Sequence, residues 1–381
     1  MIALTLAALA FAAWVYLLFA RGGFWLSRER DEGKAPLPAV LPQVAVVVPA
    51  RNEAESIAQS ITSLLSQDYP ALSVVLVDDD SNDGTAEIAR RAAEGLGRAD
   101  RLSIVSSRSL PPGWTGKLWA VKQGIAAAEQ AAPKYLMMTD ADIVHAPDTV
   151  SWLVAHAEAH HLVLTSLTAR WRCEVLPERV HIPAFIFFFQ LLYPFAWVNR
   201  ADHPMAAAGG GCMLVRTQAL RAAGGIECIR DALIDDCALA AELKKRGPIW
   251  LGLTDRVHSI RPYPHWDDIR RMVARSAYAQ LGYSPLILTG TIAGMALTYL
   301  VPPLLALFGA GWAQILGIVT WPMMAIAFQP ILRFYRLSPL WGIALPAITF
   351  LFMFYTLDSA YQHAAGKGGL WKGRAQAKVL Q

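Results

Sequence analysis

Apolar residues are bunched at the two ends of this chain and rationed in its middle. Residues 2–20, IALTLAALAFAAWVYLLFA, carry no charge. At about 1.5 Å per residue they nearly cross a hydrocarbon core of about 30 Å. Three more apolar runs fill the last third, at about 286–309, 312–331 and 340–357. Between the ends, from 44 to 255, short β-rich runs alternate with helical stretches. The pattern predicts an N-terminal transmembrane helix over 1–22, an α/β domain over 40–260 and an amphipathic junction over 261–285. A C-terminal membrane bundle over 286–360 and a basic tail over 361–381 follow.

Within the central region, strands are expected at Gln43–Val48, Ser73–Val77, Leu102–Val105 and from Tyr135, each separated by a helix. That alternation predicts a parallel sheet covered on both faces, with ligands at the carboxyl ends of its strands. The fourteen uncharged residues 185–198, FIFFFQLLYPFAWV, are too few to span a bilayer and read as a helix lying in the membrane interface.

Charge orients the chain. Arg21, Arg28, Arg30 and Lys34 follow the first apolar run, and Arg261, Arg270, Arg271 and Arg275 precede the second, so both flanks of the domain favour the cytoplasm. Arg333 and Arg336 agree. Lys367, Lys372, Arg374 and Lys378 would lie outside if all three C-terminal runs crossed, so either one run is re-entrant or the rule is overridden. Pro302-Pro303 points to the 286–309 run, and the count stands at three or four spans. A signal peptide fits poorly, since no basic residue precedes the first run. A net charge of +4 gives no basic stripe for nucleic acid. Cys173, Cys212, Cys228 and Cys237 lack CxxC spacing and read as free thiols.

Acidic clusters end two of the expected strands, read as neighbours in one sheet. Asp78-Asp79-Asp80 is followed by Ser81-Asn82-Asp83-Gly84-Thr85, which also suits a simple turn and helix cap. Tyr135-Leu-Met-Met-Thr-Asp-Ala-Asp142 ends on two carboxylates one residue apart. Alternation along an extended segment would aim Asp140 and Asp142 at one point, where a hard divalent cation, Mg2+ or Mn2+, would remove their repulsion. A turn before a helix near Pro147 is the alternative. No GxGxxG or GxxxxGK[ST] loop is present. His156, His160 and His161 lack the HExxH order of a zinc site, while His258 or His265 is a candidate to touch the metal or a diphosphate.

PARNE (49–53), VDDDSNDGT (77–85), GK (116–117), TDAD (139–142), GGGCMLVR (209–216) and IDDCAL (234–239) together resemble an inverting family 2 glycosyltransferase of GT-A fold, over about residues 40–285. PPGWTGKLWA (111–120), IPAFIFFFQLLYPFAWVN (182–199), ALIDDCALA (232–240) and RMVARSAYAQLGYSP (271–285) resemble the hopene-associated glycosyltransferases of bacterial hopanoid clusters, which are similar to ceramide glucosyltransferases. The resemblance implies a Rossmann-like nucleotide-sugar domain flanked by transmembrane helices in a bacterial inner membrane, facing the cytoplasm. It implies a UDP-sugar donor site built from Pro49, Ala50, Arg51, Glu53, Asp78, Asp79, Lys117, Asp140 and Arg275. Asp78 and Asp79 would hold uracil and ribose. Asp142 would be the direct metal ligand with Asp140 beside it, Asp236 the catalytic base, and Asp235 would stand where Glu is usual. Ser276 replaces the Trp of the family's (Q/R)xxRW element, which argues against a processive synthase. On the acceptor side the candidates are Gly209, Gly210, Gly211, Phe188 and Trp197.

The expected reaction is transfer of a sugar to the hydroxyl of a membrane lipid, probed against two alternatives. One is a polyprenyl-phosphate acceptor, already anionic and needing no base. The other is a non-catalytic membrane scaffold, which would bind no UDP.

Overall fold

The computed structural model describes residues 1–33 and 35–366, with the backbone alone at 370–371 and 374–375. Lys34 and the basic tail residues Lys367, Lys372 and Lys378 lie outside the described residues, as does the Arg374 side chain.

Eight strands form one sheet: β1 (Val44–Ala50), β2 (Leu72–Asp78), β3 (Leu102–Ser106), β4 (Tyr135–Met138), β5 (Ile143–His145), β6 (Leu164–Trp171), β7 (Met213–Arg216) and β8 (Ile249–Ser259), in the order β3-β2-β1-β4-β7-β6-β8-β5. β1 is buried along its whole length, because sheet covered on both faces takes an unbroken Val-rich run. α3 (Thr85–Gly95) and α4 (Gly116–Ala128) pack on the β1–β4 half of the sheet, α2 (Ile57–Leu65) lies beside α3 and β5, and α5 (Thr149–Ala159) lies against β6.

The sheet is mixed rather than parallel. β7 runs antiparallel to both β4 and β6, and β5 antiparallel to β8. Two sequence expectations fall with it. The acidic clusters do not end neighbouring strands, since β1 lies between β2 and β4. Nor are Asp140 and Asp142 on an extended segment. β4 stops at Met138, and a turn closed by Ile143 N to Asp140 O (3.3 Å) carries the chain across to the far edge of the sheet. Strand alternation therefore does not govern where the two carboxylates point.

α6 (Leu176–Leu192) and the short α7 (Phe195–Val198) join the sheet to the apolar helices. The interfacial helix expected here is largely inside the protein. Phe187 is fully buried between Phe24 and Phe328, with ring centroids 5.3 Å away on both sides. Glu178 anchors the start of α6 by accepting from Glu174 N at 2.8 Å and Val175 N at 3.2 Å. α8 (Thr217–Ala222) and α9 (Asp235–Lys244) complete the domain, and α10 (Trp266–Gln280) leads out of it.

Three helices are long and apolar enough to cross a membrane among the described residues: α1 (Ile2–Phe19), the Pro285–Phe308 helix and α13 (Gly311–Phe334). The second consists of α11 (Pro285–Met295), one π turn and α12 (Val301–Phe308). Pro302 has no N–H to offer the carbonyl of Thr298, four residues back. The indole of Trp14 supplies the missing donor at 2.8 Å and so fastens α1 to the irregular turn. Pro302-Pro303 thus marks a helix–helix joint within the continuous Pro285–Phe308 helix.

The irregular return lies later. After α13 the chain runs back along it: Gln329 Nε2 donates to Pro339 O and Trp321 Nε1 to Ile343 O, each at 3.1 Å. α14 (Leu345–Ala364) then returns to α10, where Asp358 pairs with Arg270 and the Ser359 hydroxyl donates to Ala274 O.

Candidate active site

The site occupies the carboxyl-end rim of β1 and β4 with the start of α9. Thr115 caps α4 by accepting from Leu118 N, which fixes Lys117 in the first turn. From there Lys117 Nζ reaches Asp140 Oδ1 at 2.9 Å and Asp235 Oδ2 at 3.1 Å. Burial works against its charge, but Asp140 and Asp235 outweigh burial and raise the ammonium above its ordinary value. Asp140 is itself pushed up, chiefly by burial, with Lys117 opposing and Asp142 reinforcing.

Asp236 sits one residue into α9. Its Oδ2 accepts from Gly210 N at 2.9 Å, and its Oδ1 from Cys237 N at 2.7 Å. Burial in the cleft and then the neighbouring Asp235 charge raise its carboxyl to about 6. Gly210 is tightly packed, because a Cβ there would stand 3.2 Å from Asp236 Oδ2 and press on that carboxylate. Gly209 and Gly211 are packed as closely, against Thr168 and Ile143.

The floor is tied to the acidic turn by a buried pair. Thr139 donates its one hydroxyl hydrogen to Gly211 O at 2.7 Å, so the 3.0 Å contact with His145 Nε2 requires His145 to be the donor there. Burial lowers the His145 imidazole to about 3, which keeps it neutral.

Beside this, two loops interlock. Asn52 and Asp80 both adopt left-handed backbone, φ 50° and 59°, which Asn and Asp tolerate best after Gly. Asn52 N donates to Ser81 Oγ, Asn82 N to Asn52 Oδ1, and Glu53 N to Thr85 Oγ1. Asp79 is buried under Arg51, whose Nη1 lies 3.7 Å from its carboxylate and donates to its carbonyl. Asp78 accepts from Ser81 N at 3.2 Å, so it also serves the turn. Pro49 lines the cleft with Lys117, Thr139, Asp140, Gly210 and Asp235, above apolar residues that include Met138 and Ile229. Ala50 is fully buried, and its carbonyl accepts from Asp79 N.

The structure separates the two acidic partners. Asp142 pairs not with Lys117 but with Arg261, at 2.6 Å, and the same guanidinium holds Glu53 at 2.8 Å. Sequence reasoning counted Arg261 only as a membrane-flanking charge. Tyr193, at the end of α6, was also missed. It accepts from Gln280 Nε2 at 2.7 Å and hydrogen-bonds the Cys237 thiol beside the Asp236 carboxylate. Arg275 is exposed on α10 and forms no ion pair among the described residues, and its charge is felt by the Tyr263 hydroxyl.

Other expected residues lie elsewhere. Phe188 packs on Tyr299 and Phe352 in the apolar bundle, and Trp197 lies between Arg21 and His203 beside the end of α1. Neither touches Asp236. The distance follows from α6, which runs away from the glycine floor into the bundle. His258 faces Asp255 O, and His156 stacks on Trp152, away from any carboxylate cluster. No three His, Cys, Asp or Glu side chains converge as a ready metal cage among the described residues.

Residues 45–224 match the sequence model of Glycosyl transferase family 2. The matched segment, just under half of the chain, is similar to that family. The chain is 44% identical over 71 residues to glycosyltransferase AglE of Haloferax volcanii, which covers 18% of this chain and 22% of that one. It is 30% identical over 119 residues to the putative glycosyltransferase EpsE of Bacillus subtilis (31% and 40% covered). It is also 30% identical over 128 residues to the 4,4'-diaponeurosporenoate glycosyltransferase of Staphylococcus haemolyticus (34% and 30%). The chain thus spans well under half the length of these curated relatives. Among solved structures, the mannosyltransferase PcManGT from Pyrobaculum calidifontis, in complex with GDP-Man and Mn2+, superposes with a TM-score of 0.57. The two are 23% identical, and the match covers 98% of this chain and 99% of that one, so they share the fold.

Proposed function

We propose that this chain is a membrane-bound inverting glycosyltransferase that moves a sugar from a UDP-sugar to the hydroxyl of a membrane lipid, hopanoid-related by the resemblance of its motifs. One observation carries the reading. A carboxylate of raised pKa, Asp236, is held by two backbone N–H groups within a cleft where Lys117 bridges Asp140 and Asp235.

A base works best when its pKa approaches the working pH, and Asp236 at about 6 remains ionised at neutrality. Its two N–H donors orient the carboxylate, and the start of α9 favours the negative charge. Asp236 would take the proton of the acceptor hydroxyl as that oxygen attacks the anomeric carbon opposite the diphosphate, which inverts the centre. Lys117 would balance charge developing on the leaving diphosphate.

The acidic rim fits a divalent cation by its donor chemistry. Asp140, Asp142, Asp235 and Asp236 outnumber Lys117 and Arg261, and their carboxylates are hard oxygen donors. Mg2+ or Mn2+ held by Asp142 and Asp140 would supply Lewis-acid stabilisation of the diphosphate.

Membrane attachment is supported by α1, the Pro285–Phe308 helix and α13. With three crossings, and with α14 returning to α10, the basic groups after α1, before α11 and after α13 would share the domain's side. The positive-inside rule makes that side the cytoplasm. The test is to incubate detergent-solubilised protein with a panel of UDP-sugars, Mg2+ or Mn2+, and total membrane lipid. A hexose-type mass increment on a lipid is expected, while donor binding without any glycosylated lipid would refute the lipid acceptor.

A further inference from the structure

Arg261 stands where three parts of the molecule meet. The chain before it is tied to the acidic turn by Ile260 N donating to Asp142 O at 2.9 Å. Two residues on, Tyr263 N donates to Glu178 Oε1 at 2.9 Å, and the Tyr263 ring stacks on Trp171 with planes 11° apart. The guanidinium spends Nε on Asp142 and Nη2 on Glu53, so it joins the acidic turn to the loop after β1.

We propose that Arg261 is a displaceable internal cation that holds Asp142 until the donor arrives, then turns its fork onto the donor diphosphate. This rests on the nucleotide-sugar reading of the site. The guanidinium and a metal ion cannot both lie against one carboxylate without strong mutual repulsion, unless an anion stands between them. The diphosphate is such an anion, and a planar guanidinium matches its oxygens pairwise. A divalent ion alone must therefore compete with Arg261 for Asp142, whereas ion and nucleotide together do not. Metal and nucleotide uptake become mutually dependent, each strengthening the other by the same factor. Arg261 is one-third exposed and lies on the connection between β8 and α10, so it has a way out of the contact.

The test measures Mn2+ bound to full-length, detergent-solubilised protein by electron paramagnetic resonance, with and without UDP. Arg261→Gln should bind Mn2+ alone about 10-fold more tightly than the parent, while the strengthening of Mn2+ binding by UDP shrinks by about 5-fold or more. Glu53→Gln, which removes only the second anchor, should shift both quantities the same way by less. Arg261→Lys should stay near the parent for Mn2+ alone. Unchanged or weaker Mn2+ binding in both Arg261→Gln and Glu53→Gln, with binding lost in Asp142→Asn, would overturn the displaceable cation and spare the metal site. Parent-like Mn2+ binding in Asp142→Asn would instead overturn the site reading and the proposal with it.

Discussion

The rim of the sheet and the apolar bundle deal with polar groups in opposite ways. In the bundle, polar side chains repair the backbone: Trp14 serves the Thr298 carbonyl orphaned by Pro302, and Trp321 serves that of Ile343. Each is a local debt settled by a neutral donor. At the rim, Lys117 and Arg261 face a larger set of carboxylates, and burial lifts Asp140 and Asp236. Uncompensated charge in a cleft costs stability. The apolar helices hold their polar groups mostly with neutral donors, whereas the rim gathers charge, which is what the proposed nucleotide site would use.

The contrast is sharpest at Asp236. Asp236→Asn removes the proposed proton acceptor but keeps shape, so transfer should fall by about 10²–10⁴-fold while UDP binding, followed by calorimetry, is retained. Loss of both together would make Asp236 a donor-site residue instead. Next comes Gly210→Ala, whose methyl presses on the same carboxylate. Transfer should drop by about 10- to 100-fold with the melting temperature nearly unchanged.

The pH dependence follows from the raised carboxyl of Asp236. Protonation disables a base, so transfer should climb as pH rises through about 6 and fall below it. Asp235→Asn removes a charge that raises Asp236, and the acid limb of the rate profile should move to lower pH. The smallest effect is expected in the bundle. Trp14→Phe leaves the Thr298 carbonyl without its donor and should lower stability by about 1–3 kcal/mol in a thermal melt, with transfer per folded molecule unchanged.

The two regions also differ in how far they could be read from the chain. β1 to β4 and their helices announced themselves through Val-rich runs cut by acidic or glycine-bearing turns, and the matched family covers 45–224. Pairing direction did not, because β7 inserts antiparallel between β4 and β6 only once α6 and α7 have carried the chain around. Lys117, Asp235 and Asp236 were legible as motif residues. Arg261 was not, since an arginine before an apolar run looks the same whether it faces lipid headgroups or Asp142. The 337–344 return was hidden for a similar reason. Residues 340–357 read as one apolar run in sequence, and only the contacts to α13 and the Arg270–Asp358 pair show that the chain doubles back there.

The acidic rim is tested most directly by titrating UDP, in the presence of Mn2+, into the parent protein and into the Asp140→Asn/Asp142→Asn double variant. Saturable heat from the parent, absent from a double variant that melts like the parent, is the expected result. No heat from the folded parent, or equal heat from both, would contradict a nucleotide site at these carboxylates.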